Sequence, residues 1–217
     1  MNGKTSYRIV VALAAGTILW TLFVHLIQDP QAADFLRHKS GLPRAVKLPV
    51  WLRVLDAHIA AAGLAIAAGA LNFSGRLRRA SRRLHRAAGY AYIAGVLGVV
   101  ATSGYMAPYA TGGRAVGMAF NLLNLLWTGL TLAAYLQVRR RRFVLHRRWM
   151  IRSYVFCYTN VSIHALESLF HRLFGMSYAA GYATAVYGTI FLLLLAAETI
   201  VRLSPSRPTD AGSKLPA

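Results

Sequence analysis

Six blocks of apolar residues, each about long enough to cross a bilayer, constrain this chain more than anything else in it. A hydrocarbon core of about 30 Å takes about 20 helical residues. Blocks of that size run over Ile9–Gln28, Val54–Phe73, Ala87–Tyr109, Ala115–Val138, Met150–Phe170 and Tyr178–Val201. Lipid offers a backbone no hydrogen-bond partners, so a spanning segment is a helix or part of a closed barrel. A barrel would alternate apolar and polar residues with period two, and these blocks do not. The expected fold class is therefore all-α: a polytopic membrane helix bundle with about six transmembrane helices. Composition agrees, with 56% hydrophobic and 14% charged residues, where a soluble domain carries about a quarter charged.

The net charge of +19 invites a nucleic-acid reading, but its distribution follows the membrane instead. Lys4 and Arg8 precede or open the first span. Six arginines lie between spans two and three: Arg76, Arg78, Arg79, Arg82, Arg83 and Arg86. Seven more lie between spans four and five or just inside span five: Arg139 to Arg142, Arg147, Arg148 and Arg152. The loops of the other side, beyond the first, hold Arg114 and Arg172. Basic residues are retained on the cytoplasmic side. Both termini and both arginine clusters thus belong in the cytoplasm, facing anionic headgroups, in a multi-pass protein. The loop from Gln28 to Arg53 departs from the rule with Arg37, Lys39, Arg44, Lys47 and Arg53, broken by Pro30, Pro43 and Pro49. It is expected to lie along the headgroups, with Val50, Trp51 and Leu52 as an interfacial anchor. The first span is longer than a signal-peptide core and reads as a retained helix. Residues 1–203 read as a single transmembrane domain. The proline-containing stretch from Ser204 to Ala217 reads as a disordered cytoplasmic tail. Cys157 is the lone cysteine, so no intramolecular disulfide can form.

Within this frame two short boxes stand out. Leu84-His85-Arg86 and Leu145-His146-Arg147 each follow an arginine run and each open an apolar segment. Their alignment pairs His85 with His146 and Gly89 with Met150. It suggests a parallel internal repeat with a pseudo-two-fold axis along the membrane normal. Such an axis sets His85 and His146 opposite each other at the cytoplasmic edge. A second histidine layer lies at the outer edge, where His58 opens span two and His164 nears the end of span five, with His25 and His171 close by. His146 and His164 are 18 residues apart, about five turns and about 27 Å, and share a side if their helix is continuous. Paired axial imidazoles suit a low-spin haem, and glycines such as Gly63 and Gly89 leave room beside a flat macrocycle. The plain alternatives are that His85 and His146 meet lipid phosphate, and that His58 and His164 bond between helices.

Other polar residues have simpler readings. Tyr90, Tyr105, Tyr109, Tyr178 and Tyr182 fit an interfacial belt, and Asn121, Asn124 and Asn160 fit interhelical glue. Asp56, His58, His164, Glu167 and His171 could form an outer non-haem metal centre, as a mixed histidine and carboxylate shell suits zinc or iron. Arg152 either snorkels to headgroups or pairs with a haem propionate. Glycine-rich phosphate loops and serine nucleophile elbows are absent from the sequence.

Several of these stretches resemble a known family. His58-Ile59-Ala60-Ala61-Ala62-Gly63, Arg83-Leu84-His85-Arg86-Ala87-Ala88-Gly89-Tyr90, Gly112-Gly113, and His146-Arg147-Arg148-Trp149-Met150-Ile151-Arg152-Ser153-Tyr154 are similar to the bacterial membrane family called domain of unknown function 2306. The resemblance runs from about Asp56 to Phe170 and implies a multi-helix inner-membrane protein. A looser likeness is to the two-haem cytochrome b and ferric-reductase superfamily. It implies haem b held by His58 with His164 and by His85 with His146, carrying electrons to or from a quinone or another redox partner. The chain departs from that pattern in three places. It sets His146 and His164 farther apart than stacked ligands commonly lie along one helix. Its fourth span has no histidine, and Ser103 stands where the repeat would put a partner of His164. The functional expectations are thus a haem b electron carrier, a non-haem metal enzyme at the outer face, or an accessory membrane protein without a cofactor.

Overall fold

In the computed structural model the described residues are 3–30, 32–37 and 47–204. The expected tail beyond Ser204 and residues 38–46 of the first loop lie outside them. The described residues form helices: α1 (Gly3–Phe23), α2 (Ala33–Arg37), α3 (Leu48–Asn72), α4 (Gly75–Ala80), α5 (Arg82–Met106), α6 (Gly113–Arg139), α7 (Phe143–Tyr154), α8 (Thr159–Phe174) and α9 (Tyr178–Leu203). Among the described residues, five helical stretches are long and apolar enough to cross a membrane: Thr5–Gln28, Leu48–Asn72, Arg82–Tyr109, Gly113–Arg139 and Tyr178–Leu203.

The fifth expected span is divided in two. A 3₁₀ turn, Val155–Tyr158, divides the expected Met150–Phe170 helix into α7 and α8, of 12 and 16 residues. Neither reaches across a bilayer alone. Together they run antiparallel to α9: Arg152 meets Glu198, Leu166 lies by Gly188, and Glu167 by Gly181. The cause of the break lies in an aromatic run rather than in proline or glycine. Tyr154 and Phe156 are buried, and the Tyr154 hydroxyl donates to Ile66 O on α3 at 3.0 Å. The break also corrects the expected alignment of His146 with His164. Four residues wound at three per turn rotate the chain about 80° beyond the α-helical phase, so the two imidazoles do not share one helix side.

Small residues bring the first long hairpin together. A Cβ on Gly95 of α5 would stand 2.8 Å from Ala65 N and 2.9 Å from Ala61 O of α3, so glycine there lets the backbones touch, as small residues do in lipid. Helix α6 packs on α7 in a second hairpin, α9 closes the bundle against α6, α7 and α8, and α5 joins the hairpins through α6. Serines start the short elements at the arginine-rich end. Ser74 Oγ accepts from Leu77 N at the start of α4, and Ser81 Oγ from Leu84 N at the start of α5, both at 3.2 Å, standard caps for free helix-start N–H groups. Helix α1 lies on the outside, touching α3 through Val10, Ala14 and Ile18.

Three minor expectations change. Trp51, expected at the interface, is 1% exposed: it sits in the first turn of α3, which begins earlier than the apolar pattern suggested. Tyr182, expected in a belt, is buried and stacked on Tyr178 at 5.8 Å. Asn121 and Asn160 lie exposed, and other residues supply the interhelical hydrogen bonds.

Candidate functional site

Those other residues lie in the middle of the bundle, on α5, α6 and α7. Tyr92, Trp127, Thr131 and Ser153 are buried, and each hydroxyl has one proton to give, which fixes the direction of every bond. A carbonyl only accepts, so Thr131 donates to Trp127 O at 2.8 Å. Ser153 must then donate to Thr131 at 2.7 Å. Its oxygen is left to accept from Tyr92 at 2.6 Å. Tyr92 accepts in turn from Trp127 Nε1 at 3.3 Å. The donors run from the indole N–H through three hydroxyls and back to the carbonyl of the same tryptophan. A closed ring leaves no buried donor or acceptor of the set unmatched, which is what makes it tolerable in an apolar interior.

This ring fixes how α5 and α7 face each other. Tyr92 and Ser153 are 61 residues apart, the register that aligns His85 with His146. Each histidine lies seven residues before its ring member, two turns and about 10.5 Å nearer the arginine-rich end, on the same helix face within about 20°. The register therefore sets His85 and His146 at equivalent places on their helices, two turns toward the arginine-rich end from Tyr92 and Ser153.

The two imidazoles are held differently. His146 Nδ1 lies 2.8 Å from Ala134 O on α6. The carbonyl can only accept, so Nδ1 carries the proton, and Nε2 of the neutral ring keeps the lone pair a metal takes. His85 Nδ1 is buried without a hydrogen-bond partner. Two more buried acceptors at this end are also unpartnered, Asn72 Oδ1 at the end of α3 and Gln137 Oε1 near the end of α6. Gly89, one turn beyond His85, faces Asn72: a Cβ there would stand 3.9 Å from Asn72 Nδ2. Gln137 lies one turn beyond Ala134, whose carbonyl holds His146. Native interiors rarely leave buried polar atoms unpaired, and here three belong to one end of the bundle, around a pair of histidines.

At the opposite end each histidine has its own neighbour. Thr102 donates to Gly98 O at 2.7 Å, with Val99 O at 3.0 Å, so its oxygen accepts from His58 Nδ1 at 2.9 Å. His164 lies exposed beside the Tyr182 ring, centroids 6.5 Å apart. His25 pairs with Asp56 at 2.9 Å, and His171 Nδ1 donates to Met176 O at 2.9 Å. His58 therefore lies against α5, and His164 against α9. The five residues of the expected outer metal centre are divided in the same way. Among the described residues no three of histidine, cysteine, aspartate and glutamate gather as a metal-ligating group. Arg152 is also accounted for. Its Nη2 and Nε donate to Glu198 Oε2 at 2.8 and 3.2 Å, and its guanidinium lies 5.0 Å from the Trp149 ring centre. It faces α9, where Arg202 shares the same carboxylate at 3.3 Å.

Sequence reasoning missed the ring, Asn72 and Gln137. One signal was available: continuing the 61-residue register two turns inward from the histidines lands on Tyr92 and Ser153, both polar, inside apolar spans.

The arrangement is that of a polytopic α-helical membrane protein with a polar, histidine-bearing site at its arginine-rich end. The chain belongs to the predicted membrane protein family DUF2306, whose model matches residues 55–201. The match begins inside α3 and ends in the last turns of α9, so it contains the ring and both histidine pairs and leaves α1 outside. Neither the curated proteins nor the solved structures gave a match.

Proposed function

We propose that this protein is a haem b electron carrier of a bacterial inner membrane, with one haem site at the arginine-rich end formed by His85 and His146. The observation that carries the proposal is the preserved register: Tyr92 bonds Ser153, and the two histidines stand at equivalent places two turns above. The residues fit the group on chemical grounds. Two imidazoles from facing helices form a bis-nitrogen donor set suited to iron. His146 has its Nδ1 proton fixed on Ala134, the outer-shell hydrogen bond usual for a metal-ligating histidine. A bound haem would supply one-electron redox chemistry, exchanged with a quinone or another redox partner.

The chain's own residues do the positioning. Ala134 orients the His146 ring, and the Tyr92–Ser153 bridge keeps α5 and α7 in register. Gly89 leaves space beside His85, and the unpartnered amide oxygens of Asn72 and Gln137 offer polar contacts at the edge. Arg152 is committed to Glu198 and is given no role toward the haem. The outer pair is left out because its imidazoles are taken to different helix pairs.

The test is haem per chain after expression with a supplied haem precursor and purification in several detergents. The proposal expects one haem per chain, lost in both His85→Ala and His146→Ala and kept in His58→Ala and His164→Ala. Haem-free protein throughout, or haem that only the outer substitutions remove, overturns it.

A further inference from the structure

The arginine-rich end carries a second feature, independent of the haem reading. Its two clusters contain arginine and no lysine. Retention on the cytoplasmic side requires only positive charge, which lysine supplies equally. Arginine adds a planar fork that grips phosphate oxygens two at a time. Arg78, Arg83, Arg86, Arg141, Arg142 and Arg147 are all exposed. Among the described residues the carboxylate at this end is Glu198, already engaged by Arg152 and Arg202. The patch is therefore uncompensated. Both clusters stand at the same end of the bundle, the α4–α5 corner where α5 begins and the α6–α7 turn where α7 begins.

The turn itself shows arginine where geometry prefers something else. Helix α6 ends with Arg142 N donating to Gln137 O at 2.9 Å and Arg141 N to Val138 O at 3.0 Å. That is the paired-bond helix ending whose left-handed residue is usually glycine. Here it is Arg141, at φ 58°. At the far end of the bundle α8 also ends through a left-handed residue, and that one is Gly175, at φ 61°.

We infer that the exposed arginines of the α4–α5 corner and the α6–α7 turn form a binding surface for the phosphate of an anionic phospholipid, with Arg141 retained at a glycine position for that contact. The membrane reading puts this surface beside anionic headgroups, which supplies the complementary charge. The test uses the purified full chain in a non-ionic detergent and follows its thermal unfolding midpoint. Three probes are added separately: short-chain phosphatidylglycerol, short-chain phosphatidylcholine and inorganic phosphate. Phosphatidylglycerol is expected to raise the midpoint by several degrees at saturation, because it binds only the folded protein. The other two are expected to leave the midpoint in place. Arg141→Gly is expected to raise the lipid-free midpoint and to shrink the phosphatidylglycerol shift by half or more. The pair Arg78→Gln with Arg142→Gln should shrink it further, and Arg114→Gln at the other end should leave it unchanged. Equal stabilisation by phosphatidylcholine would assign the effect to lipid solvation. Equal stabilisation by phosphate would assign it to a free-anion site. Either result overturns the inference, and so does an undiminished shift in both arginine variants.

Discussion

The two ends of the bundle hold the same residue type and treat it in opposite ways. At the end away from the arginines His25 has Asp56, His58 has Thr102, His164 lies by Tyr182 and His171 has Met176 O, four separate contacts. At the arginine-rich end His85 and His146 stand at equivalent places above the Tyr92–Ser153 hydrogen bond, and His85 Nδ1, Asn72 Oδ1 and Gln137 Oε1 are buried without partners. Histidines at matched depth therefore do not make a layer by depth alone. What separates the ends is the hydrogen-bond ring below His85 and His146, which fixes the rotation of α5 against α7.

The sharpest way to break this contrast is to delete one histidine at each end. His85→Ala or His146→Ala should lower haem content at least about tenfold, since even outer-shell partners of a metal site are worth 10–100-fold. His58→Ala should leave haem content unchanged, and a loss there would restore the two-layer scheme. Next comes the ring. Tyr92→Phe strips the partner from both Trp127 Nε1 and Ser153 Oγ. Each buried group left unmatched costs about 1–3 kcal/mol, so unfolding in mild detergent should show a loss of about 2 kcal/mol or more. A near-neutral result would mean that water enters the ring, and the register would lose its anchor. Gly95→Ala should cost about 1–3 kcal/mol, an overpacking penalty, because the added methyl meets the α3 backbone at Ala61 and Ala65 rather than a movable side chain. A smaller loss is expected from Arg152→Gln, with haem content unchanged. A fall in haem content there would revive the propionate reading. The smallest effect should come from His25→Ala. Its partner Asp56 has 61% of its side chain exposed, and such surface pairs contribute about 0–1 kcal/mol.

The helices were legible because a bilayer reads length and hydropathy directly: the expected spans and the observed helices overlap along the whole bundle. The 61-residue register between α5 and α7 was legible from the shared Leu-His-Arg tripeptides, and the Tyr92–Ser153 hydrogen bond spans the same interval. The break at Val155–Tyr158 was not, because no glycine or proline marks it. It follows from where the Tyr154 and Phe156 rings must go, which is tertiary information. The ring was hidden for a related reason: a single Ser or Thr inside an apolar span reads the same whether it bonds across helices or back to its own. The α6 ending was hidden because the residue that usually announces it, glycine, is replaced by Arg141. The offset of His164 from His146 was missed by treating span five as a single helix, which the 3₁₀ turn divides.

The most direct test of the central claim is the low-temperature electron paramagnetic resonance spectrum of the oxidised protein, recorded with its optical spectrum. The account predicts one low-spin ferric signal per chain with bis-imidazole character, which becomes high-spin or vanishes when either His85 or His146 is replaced by alanine. A protein without a haem signal, or a low-spin signal that survives both replacements, would contradict it.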